Sequence, residues 1–82
     1  MADSAQIPIF EFTAEELATK LEENGGGSSE SLELARQARN LLELFRSWRA
    51  VRPGDEERTQ AVSALVDLNR RAQEFLSRRR AE

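Results

Sequence analysis

"IPIFEFTAEELA", residues 7–18, sets four bulky apolar side chains, Ile7, Ile9, Phe10 and Phe12, beside Pro8 and directly ahead of a helix start. Thr13 and Glu16 spell T-x-x-E, a capping box: the threonine hydroxyl accepts from an early backbone amide while the glutamate reaches back to the cap residue. Phe12 precedes that cap and Leu17 follows it by four, the spacing of a hydrophobic staple. On this reading the first helix begins near residue 14, and residues 1–12 form an extended apolar arm. Phe12 then has a local role, and Ile7, Ile9 and Phe10 are surplus. They either close over this chain's own helices or dock in a partner's groove or on a strand edge, where Pro8 restricts them to an edge position.

Working outward, Ala14, Leu17, Ala18 and Leu21 recur at helical spacing, so a short helix is expected over about 14–23. Asn24-Gly-Gly-Gly-Ser-Ser29 ends it and reads as a flexible linker over 24–29. A second helix is expected over about 30–51, where Leu34, Ala38, Leu41, Phe45 and Trp48 step by four and three, a heptad-like seam. Ala35, Leu42, Leu44 and Val51 widen that seam to roughly 200°, more than one facing helix requires. Pro53 and Gly54 break the chain and Asp55 offers an N-cap, so a third helix is expected over about 56–79. Its seam is Ala61, Leu65, Leu68, Ala72 and Phe75. Two such helices joined by a short turn fold back as an antiparallel hairpin. The expected architecture is therefore all-α, one small domain over 1–82: a long hairpin, a short N-terminal helix packed across it through Leu17 and Leu21, and an apolar arm.

Composition narrows the chemistry. The 82 residues contain no cysteine, histidine or tyrosine. That removes disulfides, thiol chemistry, the usual general base and the commonest metal ligand. Gly25-Gly26-Gly27 lacks the Gly-Lys-Ser/Thr of a phosphate loop and follows no strand. Glu15, Glu16, Glu22 and Glu23 have no histidine or facing carboxylates with which to hold a metal. No enzyme motif, cofactor or metal site is expected. The acidic start "MADSAQ" does not fit a secretory signal, and no apolar run approaches a membrane span, so a soluble cytoplasmic protein is expected.

Charge is uneven. Residues 1–33 carry eight acids against one base, −7, whereas residues 34–82 carry eleven arginines against seven acids, +4. Arg39, Arg46, Arg71, Arg78, Arg79 and Arg80 are the candidates for nucleic-acid binding. Against that reading, many arginines have an acid three or four positions away, others complement helix C-termini, and on a wheel they scatter. Trp48 sits at a seam position, which suits a core side chain or an interface anchor flanked by arginines. A chain this small gains little from a single core, so association is expected. The function inferred from the residues is a non-catalytic protein–protein interaction module, a small adaptor, chaperone-like or regulatory subunit. Its partner is another protein or itself as a homodimer, and its proposed contacts are Ile7, Ile9, Phe10, Leu44, Trp48 and Val51. Nucleic-acid binding through the arginines is the alternative.

Overall fold

The apolar residues of the first twenty-odd positions form one continuous helical stripe: Ile7, Phe10, Ala14, Leu17, Ala18 and Leu21 step by three, four, three, one and three. The computed structural model describes residues 2–81, with side chains for residues 7–80, and that stripe is realised as a single helix, α1, over Ala2–Asn24. The extended arm expected over residues 1–12 is thus helical from residue 2 onward; Met1 lies outside the described residues. The physical reason is burial: Ile7 and Phe10 pack on the core only if the 3.6-residue period runs on through Pro8. Pro8 sits inside the helix and has no amide to donate to the carbonyl four residues earlier, which costs about 3 kcal/mol. Its ring lies on the exposed face.

Two expected local devices are displaced by that continuity. Thr13 is not a cap; its Oγ1 donates to the Ile9 carbonyl one turn back, at 2.9 Å. Phe12 is 65% exposed while Leu17 is buried, so the staple between them is not formed. The cap residues are instead mid-helix, where threonine satisfies its hydroxyl on the preceding turn.

α2 spans Ser29–Ser47 and α3 spans Asp55–Ala81. Ser28 caps α2: its hydroxyl accepts from the Ser31 amide at 3.2 Å, and the Ser31 hydroxyl donates back to the Ser28 carbonyl at 2.9 Å. α2 ends earlier than its apolar pattern, because the backbone tightens after Ser47. The amides of Trp48, Arg49 and Ala50 each donate to the carbonyl three residues back, the narrower winding common at helix ends. α3 opens with the Gly54 carbonyl accepting from Arg58 at 2.9 Å, and Asp55, Glu56 and Glu57 fill its electropositive first turn.

The three helices, about 35, 29 and 41 Å long at 1.5 Å per residue, occupy an envelope of 44 × 18 × 17 Å. The near-equal transverse dimensions require three rods around a common axis. No β-strand occurs among the described residues. Core side chains come from all three helices: Ala14, Leu17, Ala18 and Leu21 from α1, then Leu34, Ala35, Ala38, Leu42 and Phe45 from α2, and Ala61, Leu65, Leu68, Ala72 and Phe75 from α3. α1 and α2 approach most closely, which the buried alanines at 14, 18, 35 and 38 permit. The broad apolar arc of α2 is explained by its two neighbours.

Charged forks set the α1–α2 register. Arg49 grips Glu11 with Nε–Oε2 2.9 Å and Nη2–Oε1 2.6 Å, and Arg39 grips Glu22 with Nε–Oε2 3.2 Å and Nη2–Oε1 2.7 Å. The order reverses between the helices, so α1 and α2 run antiparallel. Glu30 meets Arg78 at 3.1 Å, linking the first turn of α2 to the end of α3.

Gly25 and Gly26 have close neighbours, whereas Gly27 is exposed and meets nothing. Gly25 is buried, and a Cβ there would collide with the Leu21 carbonyl and Ser31. Gly26 has φ +73°, a left-handed conformation that disfavours any side chain, and the Arg79 guanidinium lies against it. Arg79 Nε also donates to the Asn24 carbonyl at 3.0 Å, satisfying an orphan acceptor at the end of α1.

Candidate interaction surface

The residues proposed from sequence as contacts are distributed between interior and surface. Trp48 is 6% exposed and packs edge-on against Phe45, with ring centroids 5.1 Å apart. Phe10 is half-buried and tilted against the same Phe45 at 5.3 Å. Ile7 and Leu44 also pack against the core. Ile9 and Val51 are exposed, at 62% and 71%. The six therefore form no single patch; four support the core and two face solvent. The aromatic trio Phe10, Phe45 and Trp48 ties the start of α1 to the end of α2. Burial of Trp48 leaves its indole N–H without a hydrogen-bond partner among the described residues.

Ile9 opens onto a shallow trough between α1 and α3 of about 530 Å³, with Phe10 beside it and Arg58, Thr59, Val62 and Ser63 on the α3 side. The trough continues along α3 past Val62 and Val66 to Asp67 and Arg70. Val66 is 63% exposed, and Phe12, one turn beyond Ile9, is 65% exposed. Phe12 and Val66 lie outside the contacts expected from sequence: the T-x-x-E pattern gives Phe12 a staple role, and Val66 lies off the α3 core seam. What marks them is that both are large apolar side chains left exposed.

The candidate nucleic-acid arginines are mostly engaged. Arg39 is held by Glu22, Arg46 lies 3.6 Å from Glu43, Arg71 lies 2.6 Å from Asp67, and Arg78 lies 3.1 Å from Glu30. Arg79 caps α1, as above. Arg80, Arg79 and Lys20 line a polar cleft of about 380 Å³ where the ends of α1 and α3 meet. The forks show in the ionisation of their members. The Arg49 hydrogen bonds hold the Glu11 carboxyl below the ordinary carboxylate range, and those of Arg39 do the same for Glu22. The same contacts raise both guanidinium groups.

Among the described residues, no group of three or more acids, cysteines or histidines is placed to hold a metal ion. No described helix is long and apolar enough to cross a membrane. No protein-family model, curated protein or solved structure matches the chain.

Proposed function

We propose that this chain is a non-catalytic protein–protein interaction module whose contact surface is the trough between α1 and α3. The observation that carries the reading is the exposure of three large apolar side chains on α1 and α3: Ile9 in the trough, Val66 in its continuation along α3, and Phe12 one turn beyond Ile9. Contiguous exposed apolar side chains rimmed by polar groups mark association surfaces. α2 and α3 serve as an antiparallel hairpin, with Glu30 against Arg78, and α1 lies on it as the element that presents Ile9 and Phe12. A small adaptor or regulatory subunit needs only this: a rigid scaffold and one face for its partner.

The test is the double variant Ile9→Asp with Phe12→Asp, compared with the parent chain in solution mass by light scattering and in partner capture from the source cell. Loss of association, with helical circular dichroism unchanged, is expected. Association and capture both unaltered by the two charges would remove the trough from any binding role. Nucleic-acid binding has less to stand on, since Arg39, Arg46, Arg71 and Arg78 already face acids. It would appear as binding that weakens steeply with salt.

A further inference from the structure

α3 carries a second heptad-spaced seam. Thr59, Val62, Val66, Asn69, Gln73 and Leu76 step by three, four, three, four and three, as the core seam residues do. At about 100° per residue this line lies roughly 120° around α3 from the core seam. Between Asp55 and Arg80, which continue the spacing at its two ends, it contains no charged residue, in a chain of which 33% is charged. Val62 and Leu76 are half-buried at the α1 edge, and Thr59, Val66, Asn69 and Gln73 are exposed. Depletion of charge with apolar and amide side chains in a line is the composition of an interface core, and an amide within such a seam sets register.

Across the trough, α1 runs parallel to α3. Ile9 shares the trough with Thr59 and Val62 near both helix starts, and Lys20 and Asn24 share a cleft with Gln73 and Leu76 near both ends. The outer edge of α1 bears Phe12, Glu16 and Glu23; the outer edge of α3 bears Val66 and Arg70, all exposed. The two edges are complementary: apolar level with apolar at one height, acid level with base at the next.

We infer that the occupant of this face is a second copy of the chain, related by a two-fold axis running parallel to the helices. Such an axis preserves helix direction and places each α1 opposite the other copy's α3. Phe12 then meets Val66 of the second copy, and Glu16 meets its Arg70, twice over by symmetry. The perpendicular alternative stacks α1 on α1 and α3 on α3, bringing acid against acid and base against base. The pairs Glu16–Lys20 and Asp67–Arg70 within each copy are exposed one-turn contacts, which leave both members able to reach outward. The inference rests on the interaction-module reading and names its partner.

The test is sedimentation equilibrium of the full chain over a concentration series. The parent is expected to approach twice its 9.3 kDa mass, and Val66→Asp to stay at the single mass with unchanged circular dichroism. Leu32→Asp, at an exposed leucine on α2, should leave the dimer intact. Glu16→Arg alone and Arg70→Glu alone should each weaken self-association by about tenfold or more through paired like charges. Mixed together, the two variants should associate as the parent does, because the mixed dimer has one native Glu16–Arg70 contact and one with the charges exchanged. A change confined to folding of either variant gives no such rescue. A parent that stays at the single mass throughout overturns the inference, even where the Ile9–Phe12 variant still loses a different protein. A dimer that survives Val66→Asp, or no recovery on mixing, overturns it equally.

Discussion

Arg49, two residues beyond the end of α2, holds Glu11 of α1 through two parallel hydrogen bonds of 2.9 and 2.6 Å. The fork spans 38 positions of sequence and fastens the α2–α3 turn to the N-terminal half of α1. Glu11 is mostly sheltered, with its side chain 17% exposed, while that of Arg49 is 57% exposed, so solvent around the arginine discounts the pair. Glu11→Gln should cost about 1 kcal/mol at neutral pH, read from urea unfolding. Because folding lowers the Glu11 ionisation range, its contribution is fully present above the unfolded carboxylate value and is lost as pH falls through the lowered folded value. At about pH 2 parent and variant should unfold together; a gap that persists there would mean the fork is not the source.

Pro8→Ala tests the helical course of residues 2–12. It restores a backbone donor and removes a ring clash, and should stabilise the fold by roughly 1–3 kcal/mol with a gain in helical ellipticity. An extended segment at Pro8 would show neither change.

Phe10 and Phe12 are two positions apart and should behave oppositely. Phe10→Ala strips the ring that packs on Phe45 and should cost about 2–4 kcal/mol. Phe12→Ala, at 65% exposure, should leave the stability of the single chain within about 0.5 kcal/mol. Thermal unfolding of the two variants at low protein concentration separates them; equal losses would contradict the orientation of α1.

Gly26→Ala probes the turn after α1. The left-handed backbone there disfavours an alanine by about 1–2 kcal/mol, and the added methyl also displaces Arg79. A slack linker would tolerate the change without a shift in melting temperature.

Most of α2 and α3 was legible because their apolar residues repeat over about four turns, with a capping serine before α2 and Pro53-Gly54 between the two. All five residues of the α3 seam are buried, and so are Leu34, Ala38, Phe45 and Trp48 of the α2 seam. α1 was legible only from Ala14 onward. Pro8 and the T-x-x-E motif are strong local start signals, yet the stripe from Ile7 to Leu21 outweighs them once a neighbouring helix rewards it with burial. Local chemistry had no means of showing that reward. Gly26 was illegible for a related reason: glycine composition suggests slack, but what lies against this residue is Arg79, far along the chain. The trough was partly legible through Ile9, while Val66 and Phe12 became visible only when α1 and α3 were seen side by side.

That reach of Arg79 back to Asn24 and Gly26 has a consequence for how the molecule is made. The residues it joins are 55 positions apart, whereas the two forks between α1 and α2 close over 17 and 38. During synthesis at roughly 5–20 residues per second, both forks become available some seconds before Arg79 leaves the ribosome. In that interval the first two helices can meet while the turn between them holds only its local contacts. The third helix then adds its own tie to the turn after α1 once Arg79 has emerged.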